Sequence, residues 1–313
     1  MTIAITHTAF GGPEVLTPTE VALPPLGATD VAVRIEAAGV NPVDHKLRSG
    51  QRASDPITTP RHVGNDGAGV VTAVGPDVTG FRVGDRVVIT GALGTYASEL
   101  VVSQEALFPR PPQVSAAEGA ALGIPIGTAY QTVRSLAVGP EDTVLVHAGS
   151  GAVGQAVIQF AVLAGARVLA TTSDRRADRV RALGAEPVSY APGIADRVRA
   201  AAPDGVTVAI DLAGTDEALD SSVELVADRR RIATLVRGAD ADALGIQAFR
   251  GGSPRPLTAR EEAWRRESIP VALHLLAVGA FSVELGPALP LAEAAEAHRV
   301  VEAGVDGKVV LVP

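Results

Sequence analysis

Cysteine is absent from all 313 residues, which removes disulfides, thiol nucleophiles and thiolate zinc ligands together. Any metal would have to be held by nitrogen and oxygen alone. Long apolar runs are absent too: no stretch approaches the roughly 20 residues that cross a bilayer, so no membrane partner is expected. The opening residues, MTIAITHTAFGGPEVL, lack the basic start and apolar centre of a secretory signal, and a cytoplasmic location is expected. Positive charge is in deficit, with 27 Lys and Arg against 35 Asp and Glu and a formal net charge of −8. A polyanion would be repelled on average, so nucleic acid is not expected as a partner.

What is present is core material. Hydrophobic residues make up 47% and charged residues 20%, which describes a globular chain rather than a disordered one. The length suits two domains, because single cores stop growing below it. Up to about Pro112 the chain shows short β-branched or alternating runs, DVAVRIEAA, GAGVVTAVG and DRVVIT, punctuated by Gly, Pro and Asp. That pattern predicts an all-β, barrel-like unit with tight turns. A Pro cluster then ends the β region, and Ser115 is placed to cap an Ala-rich helix.

From Asp142 onward apolar strands alternate with amphipathic helices, TVLVHA with AVGQAVIQFAVLAG, then RVLATTS with DRRADRVRALG. EPVSYA, GVTVAIDLAG and RRIATLVRG read as further strands and DEALDSSVELVA as a helix. Such alternation predicts parallel strands with right-handed crossovers, a doubly wound sheet. Beyond Gly252 a loop with Pro254 and Pro256 leads into a long helix ending near LHLLAVGAF, then a strand, the helix LAEAAEAHRVVEAG and the strand GKVVLVP. These last elements are expected to return to the first domain. The predicted division is therefore 1–113 with 270–313, and 114–269.

Gly149, Gly151 and Gly154 form G-x-G-x-x-G between a predicted strand and a predicted helix. In that context the first glycine permits the turn, the second admits a pyrophosphate, and the third packs helix on strand. The whole turn, Gly149, Ser150, Gly151, Ala152, Val153 and Gly154, is the candidate anion cradle at a helix N-terminus. An NAD site places a carboxylate about 20 residues further on, at the end of the second strand, to hold the ribose hydroxyls. Here that strand ends in Thr171, Thr172 and Ser173, followed by Asp174, Arg175 and Arg176. Hydroxyls and arginines suit a ribose 2′-phosphate through charge-assisted hydrogen bonds, so NADPH is favoured over NADH.

Read in order, the motifs FGGPEVL, AAGVNPVDHKLRSG (37–50), GNDGAGVV (64–71), VGDRV (83–87), GTYASELVV (94–102), IGTAYQTV (126–133), the glycine turn and GKVVLVP resemble the medium-chain dehydrogenase/reductase superfamily. The similarity is to its zinc-free quinone oxidoreductase branch, and to alkenal and alkenone reductases. The resemblance covers essentially the whole chain. It implies an α/β fold in which a GroES-like β-barrel catalytic domain is joined to a Rossmann doubly wound parallel sheet, with the active site in the cleft. It also implies a homodimer.

Zinc-dependent relatives carry a cysteine where this chain has Asn41 and a His-Glu pair where it has Asn65 and Asp66. His62 stands nearby without a sequence-near partner, so no metal is expected. Without a Lewis acid, reduction of a conjugated acceptor is favoured over alcohol oxidation.

The resemblance places Asn41 near the nicotinamide, as a carbonyl donor or a turn residue before Pro42. By the same resemblance Lys46 stands where several quinone reductases carry Tyr and some plant alkenal and alkenone reductases carry Lys. Its role is open between cofactor contact, enolate stabilisation and an idle surface position. Tyr96 is a pocket phenol or a barrel aromatic, and Thr128 is a cofactor contact or a self-bonded helix residue.

Ser173 and Arg175 are the first candidates for the 2′-phosphate, and the resemblance places Tyr190 at the adenosine end. Leu212 and Leu235 end later strands at the carboxyl edge, where ligands of such sheets sit. Asp66 is read as a turn anchor. The expected reaction is NADPH-dependent, zinc-independent hydride transfer to a quinone or α,β-unsaturated carbonyl, a small electrophilic acceptor. An enoyl-thioester reductase and a non-catalytic NADPH-binding sensor stand as alternatives. Segments 49–59 and 250–260 are expected to wall the substrate pocket.

Overall fold

A computed structural model describes residues 1–52, 54–249 and 255–313. Gly252 and Pro254 of the predicted interdomain loop, and parts of both predicted pocket-wall segments, lie outside the described residues. The chain divides into two compact units, Met1–Ile124 with Ile269–Pro313, and Pro125–Ser268.

The first unit opens with β1 (Thr2–His7), β2 (Thr17–Val21), β3 (Asp30–Gly39), α1 (Pro42–Arg48), β4 (Arg61–His62), β5 (Asp66–Val74), β6 (Arg86–Thr90), β7 (Glu99–Ser103) and β8 (Leu107–Pro109). Helix α2 (Ala116–Ala120) follows, capped by a reciprocal Ser115–Glu118 box as the sequence predicts. It packs on β3, β5 and β6, so the first unit runs on to Ile124 rather than ending at the Pro cluster.

Strand β3 organises this unit. One side pairs with β5 along its length, with register shifts between Ala32 and Val33 and between Ile35 and Ala37. The other side pairs with β7 near Asp30 and with a C-terminal strand near Gly39. Bulges of this kind bend a strand and increase its twist, letting one strand serve two neighbours on the same edge. Gly39 has a steric reason to lack a side chain, since a Cβ there would lie 2.1 Å from the Ala120 carbonyl oxygen of α2.

The second unit takes in most of α3 (Gly123–Ser135), followed by β9 (Thr143–Val146), α4 (Ala152–Leu163), β10 (Arg167–Thr172), α5 (Ala177–Ala182), β11 (Glu186–Ser189), α6 (Ile194–Ala201), β12 (Val208–Asp211), α7 (Asp216–Leu225), β13 (Ile232–Thr234), α8 (Ala241–Leu244), β14 (Gln247–Ala248) and the start of α9 (Ala259–Ala277). Its six strands lie in the order β11-β10-β9-β12-β13-β14, all parallel. This is the predicted Rossmann-type sheet. Val144, Leu145 and Val146 are buried, as a parallel strand covered on both faces requires.

Two details differ from the sequence reading. The strand predicted through RRIATLVRG stops at Thr234, because the Thr234 hydroxyl accepts the backbone N–H groups of Val236 and Arg237 and turns the chain. The reading also passes over α6, whose buried residues Ile194 and Val198 are four apart among alanines and charged residues.

The chain returns to the first unit through β15 (Leu285–Pro290), α10 (Ala294–Ala303) and β16 (Lys308–Val312), and β16 pairs antiparallel with the end of β3. The core of this unit joins Val31, Val33 and Ile35 of β3 to Val309 and Leu311 of β16 and Ala297 of α10. Among the described residues no helix is long and apolar enough to cross a membrane.

Candidate active site

In the second unit, the turn after β9 is held from beneath. The N–H of Ala148 donates to the Thr171 hydroxyl at 3.0 Å and that of Gly149 to the Thr171 carbonyl at 2.9 Å. His147 is fully buried and lies beside the same threonine. Ser222 spends its hydroxyl hydrogen on the Ala218 carbonyl, so at 3.1 Å it accepts the hydrogen on His147 Nε2. Burial pushes this imidazole down to about 4, and it stays neutral under the turn.

The three glycines are not equivalent. A Cβ on Gly149 would lie 2.6 Å from the Ala170 Cβ, and one on Gly154 would lie 2.3 Å from the Ala148 carbonyl oxygen. Both are glycine because protein fills the space. A Cβ on Gly151 would meet only the Ala148 oxygen at 3.5 Å, and the residue is exposed with an ordinary extended backbone. Among the described residues nothing requires glycine there, and the position is open at the N-terminus of α4, where such folds admit an anion. Ala152 begins that helix and is exposed, Val153 is half-buried, and the Ser150 carbonyl accepts from Gln155 Nε2 and Arg176 Nη2.

At the carboxyl end of β10, Thr171 and Thr172 are buried, Ser173 is half-buried, and Asp174 and Arg175 are exposed in a short 3₁₀ turn. Tyr190 follows the neighbouring strand β11 and is 60% exposed. Leu212 is half-buried after β12 and Leu235 buried after β13. The turn, Ser173, Arg175, Tyr190, Leu212 and Leu235 thus all follow carboxyl ends of strands in one parallel sheet, the edge where dinucleotides bind in such folds. Thr128 lies in α3, and its hydroxyl accepts from Arg265 Nη2 at 2.6 Å.

In the first unit a buried polar cluster surrounds the N-terminus of α1. Asn41 caps the helix, with its backbone N–H on Asp44 Oδ2 at 2.9 Å. Its side-chain amide donates to Asp66 Oδ2 at 2.8 Å and to the Gly39 carbonyl at 3.4 Å, while its Oδ1 accepts from Lys308 Nζ. Asp44 also accepts from Asn65 Nδ2 at 2.8 Å and from the Tyr96 hydroxyl at 3.0 Å. Burial pushes the Asp44 carboxyl up to about 6, with the charge of Asp66 adding to the shift. Asp66 Oδ2 accepts the backbone N–H of Ile124 as well, so Asp66, read from sequence as a turn anchor, instead ties β5 to distant segments at Asn41 and Ile124.

This geometry corrects two roles. Asn41 has both amide hydrogens in use and is 1% exposed, so it does not offer a donor to a carbonyl. Tyr96 is fully buried with its proton on Asp44, and burial together with that charge raises its phenol well above the usual range. It is a barrel aromatic rather than a pocket acid. Lys46 is exposed on α1. His62 sits in β4, and among the described residues no group of three or more His, Cys, Asp or Glu side chains is arranged to hold a metal.

Sequence reasoning missed Asp44, Lys308 and His298. Their only signal was membership in the motifs PVDHK and GKVVLVP and in the helix AHRVV, where each reads as a surface charge. His298 is buried edge-on to Tyr96, and its Nδ1 accepts from Arg48 at 3.1 Å.

Comparison with known proteins gives the family. Residues 27–112 match the alcohol dehydrogenase GroES-like domain family, and residues 152–249 the zinc-binding dehydrogenase family. Quinone oxidoreductase of Sus scrofa is 30% identical over 317 residues, covering 96% of this chain and 95% of that protein. Human quinone oxidoreductase is 36% identical over 174 residues, a match that spans about half of each protein, 55% of this chain and 53% of the human one. The structure of Escherichia coli quinone oxidoreductase complexed with NADPH aligns over 100% of both chains, with a TM-score of 0.84 and 25% identity. The chain belongs to the medium-chain dehydrogenase/reductase superfamily, in its quinone oxidoreductase branch, a family of NAD(P)H-dependent reductases, and is an oxidoreductase.

Proposed function

We propose that this protein is an NADPH-dependent, zinc-independent reductase that delivers hydride to a quinone or an α,β-unsaturated carbonyl. The observation that carries the reading is the open position at Gly151 at the start of α4, combined with a β10 end that presents Ser173, Arg175 and Arg176 in place of an inward carboxylate. Backbone N–H groups at that helix start would hold the pyrophosphate, and the serine and arginines the 2′-phosphate. NADPH, when bound, supplies the hydride. The relative whose structure contains NADPH supports the same choice.

Zinc independence is supported by the chemistry at α1. Asn41, Asn65 and Asp66 stand at the positions where zinc relatives carry ligands, and their polar groups are engaged with one another, with Asp44 and with the Lys308 ammonium. Without a buried acid free to act, the protein's contribution is orientation of the two reactants, which alone can lower a barrier substantially. Lys46, exposed on α1, is the cation we assign to stabilising a developing enolate.

The test is NADPH and NADH oxidation followed with an ortho-quinone and with a simple enone, before and after dialysis against a chelator. Faster turnover with NADPH that survives chelation is expected. Equal rates with NADH, or loss on chelation, would overturn the cofactor or the zinc assignment respectively.

A further inference from the structure

Of 27 basic residues only two are lysine, Lys46 and Lys308. A chain that otherwise uses arginine has placed one lysine exposed on α1 and the other, 4% exposed, against the capping residue of the same helix. Taking an ammonium out of water is unfavourable by several kcal/mol unless it is paired and hydrogen-bonded. Burial pushes the Lys308 ammonium below the usual lysine value, and two buried carboxylates, Asp66 of β5 and Asp44 of α1, act against that shift. Arg48, the buried guanidinium of the same helix, turns away to the Gly11 carbonyl, His298 and Glu302.

Room for the lysine is also built in. A Cβ on Gly39 would come within 3.0 Å of Lys308 Cε. An arginine would need more space than this, and its planar fork does not match a single amide oxygen as a compact ammonium does.

We propose that Lys308 is a positioning residue for the reductase site: its ammonium is the fixed counter-ion of Asp44 and Asp66, and it sets the orientation of the Asn41 amide from which α1, the carrier of Lys46, begins. The consequence for Asn41 is direct. With the ammonium on Oδ1, the amide nitrogen must face Asp66 and Gly39, which is the arrangement observed. Without it, the amide loses its only charged donor and the two carboxylates are left facing each other in a dry site. One of them must then hold a proton at neutral pH. The titratable groups around the ammonium are Asp44 and Asp66; Tyr96 reaches Asp44, and His298 of α10 meets the Tyr96 ring.

The effect on turnover rests on the reductase reading, but the charge assignment does not. With lysine as the only isotope-labelled residue type, NMR of the intact protein should show two side-chain signals. The Lys308 signal is expected to be an ammonium at neutral pH, shifting when Asp44 titrates near 6. A neutral amine at neutral pH, or no response to that titration, overturns the proposal.

The second arm compares Lys308→Met with Lys308→Arg. Lys308→Met should leave NADPH binding to the other unit intact, lower kcat/KM for the acceptor about tenfold or more, and add an ionisation to its pH profile. Infrared difference spectra should show a protonated carboxyl in this variant at neutral pH. Lys308→Arg should restore the ionised carboxylates in part and the pH profile with them. An unchanged pH profile and no protonated carboxyl in a cooperatively folded Lys308→Met protein would overturn the role. If no acceptor turns over in the wild type, the reductase reading fails while the NMR and infrared arms still decide the charge assignment.

Discussion

At the scale of single residues, Gly151 and Gly154 offer separate tests of the proposed binding role and of folding. Gly154→Ala puts a methyl 2.3 Å from the Ala148 carbonyl oxygen, where backbone must move, so a loss of about 1–3 kcal/mol in stability is expected by thermal or urea unfolding. Gly151→Ala meets nothing closer than 3.5 Å and should melt near the wild-type temperature, yet weaken NADPH in a fluorescence titration. If both variants unfold alike, the open position at Gly151 has no special relation to a ligand. On the proposed reading, Ser173 and Arg175 select the nucleotide. Replacing both with Ala removes charge-assisted hydrogen bonds of roughly 1.5–3 kcal/mol each, so NADPH should bind at least about tenfold more weakly while NADH changes little. A parallel loss for both nucleotides would assign the pair to the fold instead.

At the scale of elements, legibility followed local pattern. Strands β3, β5, β9 and β10 announce themselves by β-branched runs, and the Ser115–Glu118 box marks the start of α2. The glycine turn was legible because its chemistry is backbone chemistry at fixed spacing. The polar cluster at α1 was not, because Asn41, Asp66, Tyr96 and Lys308 come from four separate places and meet only when β16 returns to β3. No periodicity encodes that juxtaposition, and a lysine beginning a terminal strand reads as a solvated charge.

The first turn of α3 shows the same dependence on distant partners. A Cβ on Gly123 would lie 1.9 Å from Asp66 Oδ1, so Gly123→Ala must displace the carboxylate that anchors Asn41 and the Ile124 N–H. Destabilisation of about 2 kcal/mol or more is expected in unfolding experiments. A variant that melts with the wild type would show that the cluster tolerates movement of Asp66.

For the whole molecule, the buried titratable groups set opposing trends with acid. Asp44 has a folded-state value raised from 3.8 to about 6, so the folded state holds a proton that the unfolded chain releases. Its contribution is present at low pH and is lost as pH rises through about 6. His147 and His298 are lowered to about 4 and about 3, so the unfolded chain holds the extra protons. Their contributions are present above the usual imidazole value of 6.5 and are lost as pH falls through that value toward 4 and 3.

Between about pH 4 and pH 6 these three groups give two protons bound on unfolding against one released, a net loss of roughly 1.4 kcal/mol per pH unit on acidification. Asp44→Asn removes the single opposing term. It also sets amide hydrogens among donors that need acceptors, so it destabilises at every pH, but least where the wild-type carboxylate is ionised and dry. The gap between variant and wild type, measured by urea unfolding, should therefore be about 2 kcal/mol smaller at about pH 7.5 than at about pH 4.5. A gap independent of pH would mean that Asp44 is ionised throughout, with the Lys308 ammonium compensating its burial completely.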